Sequence, residues 1–179
     1  MLCDTLKEVS FPKSLNSIGY DAFKGINIDA VFNVYPKTWP AIFARRLNHF
    51  YIGSETFGDF IYETLEDGTV NILEYKGNGE TVNIPESIDG HKVTSINTQA
   101  FVLHFEIKTV TLPDGITSIA DRAFAYLSRL SSINLPESLK FIDDTAFEGV
   151  LKDSPIFIVP KQTYAEEWVK TKGFKYQYQ

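Results

Sequence analysis

Residues 107–124 read IKTVTLPDGITSIADRAF, and residues 130–147 read LSSINLPESLKFIDDTAF. Aligned without a gap, they match at Ile107/Leu130, Val110/Ile133, Leu112/Leu135, Pro113/Pro136, Ile116/Leu139, Ile119/Ile142 and Ala123-Phe124/Ala146-Phe147. A third copy lies near the amino end: Leu6, Val9, Phe11-Pro12, Leu15, Ile18 and Ala22-Phe23. A fourth carries a small insertion. It runs Val82-Asn83-Ile84-Pro85 and Ile88, then Asp89-Gly90-His91-Lys92, before resuming at Val93, Ile96 and Ala100-Phe101. Phe101, Phe124 and Phe147 stand 23 residues apart, and Pro12, Pro113 and Pro136 each precede their phenylalanine by 11. Self-similarity at one period is the mark of a repeat architecture.

The copy itself dictates a local structure. Val110-Thr111-Leu112 alternates apolar and polar, which reads as a short strand with two side chains turned inward. Proline follows and cannot donate to a ladder, so the strand ends there. The later isoleucines and the Ala-Phe pair have wider spacing and turn the chain back beneath its strand. One copy cannot enclose these residues alone, whereas stacking aligns Ile84, Leu112 and Leu135, and likewise Phe101, Phe124 and Phe147. The expected fold is a β-rich leucine-rich-repeat solenoid, with a short strand plus a turn or short helix per repeat. Small capping helices and a β-hairpin complete it.

The pattern L-x-x-[IV]-x-[LIF]-P-x-x-[LI]-x-x-I-x-x-x-A-F resembles leucine-rich repeats of the BspA-like type, over residues 2–28 and 80–150. The resemblance implies a bacterial cell-surface or secreted setting, where such repeats serve binding and adhesion. Family members often place Cys three residues after the aromatic. Here Ile26, His104, Leu127 and Val150 occupy that slot. Cys3, the only cysteine, fits the same slot relative to Leu6, reading as a core thiol and placing the chain's start inside a longer array.

A larger repetition brackets the first. Val34-Tyr35-Pro36-Lys37-Thr38-Trp39 matches Val159-Pro160-Lys161-Gln162-Thr163-Tyr164, and each leads into a predicted helix. In the second, Thr163 to Glu166 forms a capping box and Gly173 a stop. Between them, Phe60-Ile61-Tyr62 and Val70-Asn71-Ile72 flank Asp67-Gly68, a hairpin signature. The organisation expected is residues 1–57 as the tail and cap of one module, followed by residues 58–179 as a whole one.

Composition narrows function. A net charge of −6 opposes nucleic-acid binding, which needs a basic stripe. No apolar run or basic amphipathic helix implies membrane insertion. His49, His91 and His104 are scattered in the repeat register, so no metal or catalytic role is assigned to them. Asp143-Asp144 occupies a turn-capping place, Glu166-Glu167 the first turn of a helix, and Gly77 and Gly79 lack a P-loop lysine. No enzyme and no cofactor are implied. Phe174, Tyr176 and Tyr178 fall on one face of a terminal strand, with Trp39 and Trp168 expected inside the caps.

The middle residue of each strand points away from the core. Ser10, Asn83, Thr111 and Asn134 therefore form an outward row, flanked by Glu8, Thr81, Thr109 and Ser132. This row is the candidate binding face, with Ser10, Asn83, Thr111, Asn134, Thr109 and Ser132 as its site residues. The expected partner is a protein, such as a host or matrix protein. A glycan-binding or accessory region of a larger surface enzyme, and a structural spacer, remain alternatives.

Overall fold

The computed structural model describes residues 8–10, 31–33 and 55–179. Cys3, Trp39, His49 and the first capping motif fall outside them. The chain divides into two compact units, residues 1–55 and 56–179. In the first, β1 (Glu8–Ser10) and β2 (Val31–Asn33) pair in parallel, with Val9 opposite Phe32.

β3 (Glu55–Phe57) spans the boundary, and the second unit continues with β4 (Phe60–Thr64) and β5 (Val70–Tyr75). β4 and β5 form the antiparallel hairpin expected around Asp67-Gly68. Its turn closes by Leu65 N donating to Thr69 O at 2.7 Å and Gly68 N to Leu65 O at 2.9 Å. Gly68 sits at φ 77°, where a side chain would be strained. Beyond the hairpin the coils start. β6 (Thr81–Asn83), β9 (Thr109–Thr111), β11 (Ser132–Asn134) and β13 (Ile156–Val159) stack in parallel, and β14 (Lys175–Tyr178) closes the sheet.

A second sheet was not visible in the repeat. β8 (His91–Ile96), β10 (Ser118–Ile119) and β12 (Phe141–Ile142) stack in parallel, and β5 extends them toward the hairpin. Each repeat thus holds two strands. β10 and β12 are two residues long, too short for alternation to register in sequence. The insertion in the fourth copy is a hairpin: β7 (Ser87–Ile88) turns through Asp89 and Gly90, both at positive φ (50° and 81°), onto β8. Two consecutive positive φ values are the signature of the two-residue turn that matches strand twist.

Between the sheets lies a core of ladders. Val82, Val110, Ile133 and Phe157 form one rung series, Ile84, Leu112, Leu135 and Val159 another, and Ile96, Ile119 and Ile142 a third; all are buried. Phe101, Phe124 and Phe147 stack with centroids 4.9 and 5.4 Å apart. The corners that carry them are hydrogen-bonded turns, not helices. Phe101 N donates to Ala123 O, and Phe124 N to Ala146 O, each at 2.8 Å, so backbone bonds run from coil to coil even where no strand exists.

The end of the stack is covered by α1 (Tyr164–Lys172) and β14. Thr163 caps the helix through Oγ1, which accepts from Glu166 N at 3.3 Å. Glu166 reaches back to Gln162 N at 2.6 Å, one residue earlier than an ordinary capping box. Gly173, at φ 75°, ends the helix: its N–H donates to Lys170 O and Phe174 N to Val169 O. These are the paired bonds of a Schellman stop. Phe174 is buried with Trp168 and Tyr176 is half-buried, whereas Tyr178, expected on the same face, is 42% exposed and touches the cap through its hydroxyl, which donates to Glu166.

Candidate interaction face

The outward residues of the first sheet lie in two straight rows because the strands pair in register. One row is Thr81, Thr109, Ser132, Ile156 and Lys175; the other is Asn83, Thr111, Asn134, Ile158 and Gln177. Of the six residues singled out from sequence, five therefore share one sheet. Ser10 is an exposed residue of β1, in the other unit. Asn83 and Thr111 are exposed, whereas Thr109, Ser132 and Asn134 are half-buried.

Asn134 differs from its row-mates. Its amide nitrogen donates to Leu112 O and its amide oxygen accepts from Leu112 N, both at 2.8 Å. The side chain thus acts as a piece of backbone, holding two coils together where Leu112 would otherwise lack a partner. Its polar atoms are committed inward, leaving Asn83 and Thr111 to offer free donors and acceptors. The row also reaches further than expected. Ile156 (40% exposed) and Ile158 add an apolar segment beside the polar one. Part of their signal was present in sequence: Ile156-Phe157-Ile158-Val159-Pro160 keeps the strand-ending proline of the coils, but its outward places are apolar and no Ala-Phe follows. Along the near rim, Glu80 pairs with Lys108 at 2.8 Å and Arg129 at 3.5 Å, and these cations hold its carboxyl below the usual range.

The ionisable groups weighed as chemistry have structural partners. His91 Nδ1 lies 2.7 Å from Gly68 O, tying the insertion to the hairpin turn. His104 bridges Glu106 (2.7 Å) and Tyr75 O (2.9 Å). Asp143 accepts from Thr145 N at 2.9 Å and Thr145 Oγ1 at 2.6 Å, which hold its carboxyl below the usual range. Asp144 instead pairs with Lys172 at 2.6 Å, so the two adjacent acids serve different contacts. Among the described residues, no three His, Cys, Asp or Glu side chains are placed to hold a metal. Among the same residues, no helix is long and apolar enough to cross a membrane.

Stacked coils of one repeat, each contributing a strand to a parallel sheet, define a leucine-rich-repeat solenoid. The chain belongs to the BspA-type leucine-rich repeat family, whose repeat region matches residues 1–38 and 70–168 in six copies. Three solved structures share the fold. A leucine rich cell surface protein from Faecalibacterium prausnitzii is 20% identical with a TM-score of 0.52, over 62% of this chain and 37% of that one. A T. pallidum leucine-rich repeat protein is 27% identical with a TM-score of 0.51, over 60% and 55%. A leucine-rich repeat protein from Bacteroides ovatus is 24% identical with a TM-score of 0.52, over 68% and 33%. The chain thus spans a third to a little over half of these proteins' lengths. No curated protein matches it.

Proposed function

We propose that this chain is a non-catalytic protein-binding module of a bacterial surface or secreted protein, and that the five-stranded sheet presents its partner-binding face. The observation that carries this reading is the pair of in-register rows, with exposed Asn83 and Thr111 at the start of one and exposed Ile156 toward the far end of the other. A flat, ordered array of this kind suits an extended protein surface. Surface display rests on the family and on the cell-surface relative. Residues 1–57 are then the end of an upstream module and residues 58–179 a complete one.

A glycan platform needs an aromatic face open to solvent, and the two outward rows of the five-stranded sheet hold no aromatic residue. The sheet therefore suits a protein better than a glycan. The test is capture of purified extracellular-matrix proteins on a sensor surface. Asn83→Arg with Thr111→Arg is expected to reduce capture at least tenfold while leaving the thermal midpoint in place. Asn134 is left untouched because its side chain holds Leu112. Undiminished capture by the double variant sinks the face assignment, and absence of capture by wild type favours the spacer.

A further inference from the structure

The corners after each phenylalanine repeat one backbone conformation. The second residue past it is left-handed in all three coils: Leu103 at φ 64°, Tyr126 at 61° and Gly149 at 74°. Glycine takes this conformation without strain, but a bulky side chain does not. Leu103 and Tyr126 nevertheless occupy it, and both project outward, 55% and 39% exposed. Two places further along, Phe105 is 51% and Leu151 63% exposed, where the middle coil has the polar Ser128. Tyr126 is also fixed in place. Its ring lies so close over Gly149 that a Cβ there would meet Tyr126 Cδ1 at 2.4 Å, and its hydroxyl donates to Glu148 at 3.1 Å. The same corners hold Gln99 and Arg122 left-handed as well, at φ 59° and 51°, so the conformation belongs to the turn; what sets Leu103 and Tyr126 apart is that bulky side chains occupy it in the open.

At its cap end this apolar ridge runs into a cleft of about 240 Å³. Its lining includes Gly149, Val150 and Lys152, which flank Leu151 in the chain, together with Trp168, Lys172 and Phe174 of the cap. Small-molecule sites run to roughly 300–1,000 Å³, so this cleft is sized for one large side chain. Phe105 and Tyr126 are about half exposed, which leaves on the order of 100 Å² each and roughly 400 Å² for the four ridge residues. A second copy of the chain would require about 800 Å² per partner, so the ridge fits a linear segment better than a dimer.

We propose that the Ala-Phe ridge is a second docking surface, separate from the sheet, for a short apolar segment of a partner protein. Its side chains lie along Leu103, Phe105, Tyr126 and Leu151, and one bulky residue enters the cleft.

The repeat supplies its own conservative variants: Leu103→Gly copies Gly149, and Phe105→Ser copies Ser128. The probe is a displayed library of random twelve-residue peptides selected on the intact chain. Enriched peptides are expected to carry at least two bulky apolar residues. They should lose tenfold or more in affinity to the Leu103→Gly, Phe105→Ser variant and none to the Thr111→Arg variant. Relief of the left-handed strain should leave the variant's thermal midpoint unchanged or raised. Failure to enrich overturns the proposal, as does equal binding to the ridge variant or loss only in Thr111→Arg. A wild-type dimer that the ridge variant dissolves in sedimentation equilibrium also overturns it, in favour of a second copy.

Discussion

The coils and the cap solve the same burial problem by different means. In the coils, Phe101, Phe124 and Phe147 repeat one position, and their rings lie nearly parallel, at 20° and 15°. At Phe147 the pattern changes. Phe157 meets it edge-on at 78°, Trp168 at 56° and Phe174 at 69°. A ladder of identical residues always leaves its last member uncovered. Closing it requires unlike residues at unlike angles, and those arise from sequence used once. The cap also leaves the Trp168 indole N–H buried without a partner among the described residues.

If the stack carries stability in one dimension, its middle should be its most sensitive point. Phe124 contacts a ring on each side and is fully buried. Phe124→Ala is expected to remove about 3–5 kcal/mol, read as a shift in the urea midpoint at unchanged slope. Phe174→Ala at the cap should cost less and open chiefly the last coil, which hydrogen exchange at Val150 and Phe147 would detect. Equal losses at both places, with exchange rising throughout, would break the distinction between coil and cap.

A smaller effect separates the two in hydrogen bonding. Asn134→Ala leaves both Leu112 N and Leu112 O without their side-chain partner. The expected cost is about 1–3 kcal/mol, whereas Asn83→Ala, two rungs away and without such bonds, should be near neutral. Identical midpoints for the two variants would show that water replaces the Asn134 amide at no cost.

What could be read in advance follows the same division. The coil strands, their proline ends and the inward ladders were legible because each position is stated several times over, so chance agreement is improbable. The Asp67-Gly68 hairpin and the Thr163 cap were legible because they rest on local backbone chemistry. The second sheet was not, because Ser118-Ile119 and Phe141-Ile142 give period two no room to repeat. Nor was the inward commitment of Asn134. Its sequence neighbours match those of Thr111, and only the adjacent coil's backbone distinguishes the two. Ile156 and Ile158 were set apart from the face because the cap motif that follows them hides their kinship with Thr109 and Thr111.

The smallest effect concerns how the cap keeps its terminal strand. Glu166 accepts from Lys170 Nζ at 2.5 Å, Tyr178 Oη at 2.8 Å and Gln162 N at 2.6 Å. Lys170 first, then Tyr178 and the Gln162 N–H, lower its carboxyl to about 2, while acceptance by the carboxylate pushes the Tyr178 hydroxyl up to about 12. A depressed acid stabilises the fold in its ionised form. That contribution is therefore complete above the ordinary glutamate range and is lost as pH falls from there toward about 2. The Glu166→Gln variant keeps the shape but cannot ionise, so it should be less stable than wild type at pH 7. The difference in thermal midpoint should shrink steadily below pH 4.5 and nearly vanish by pH 2. Glu167→Gln, at an exposed position of the same helix turn, serves as the control. If both variants track wild type at a constant offset across that range, β14 is held by its backbone pairing with β13 and by Phe174, and the Glu166 contacts add nothing.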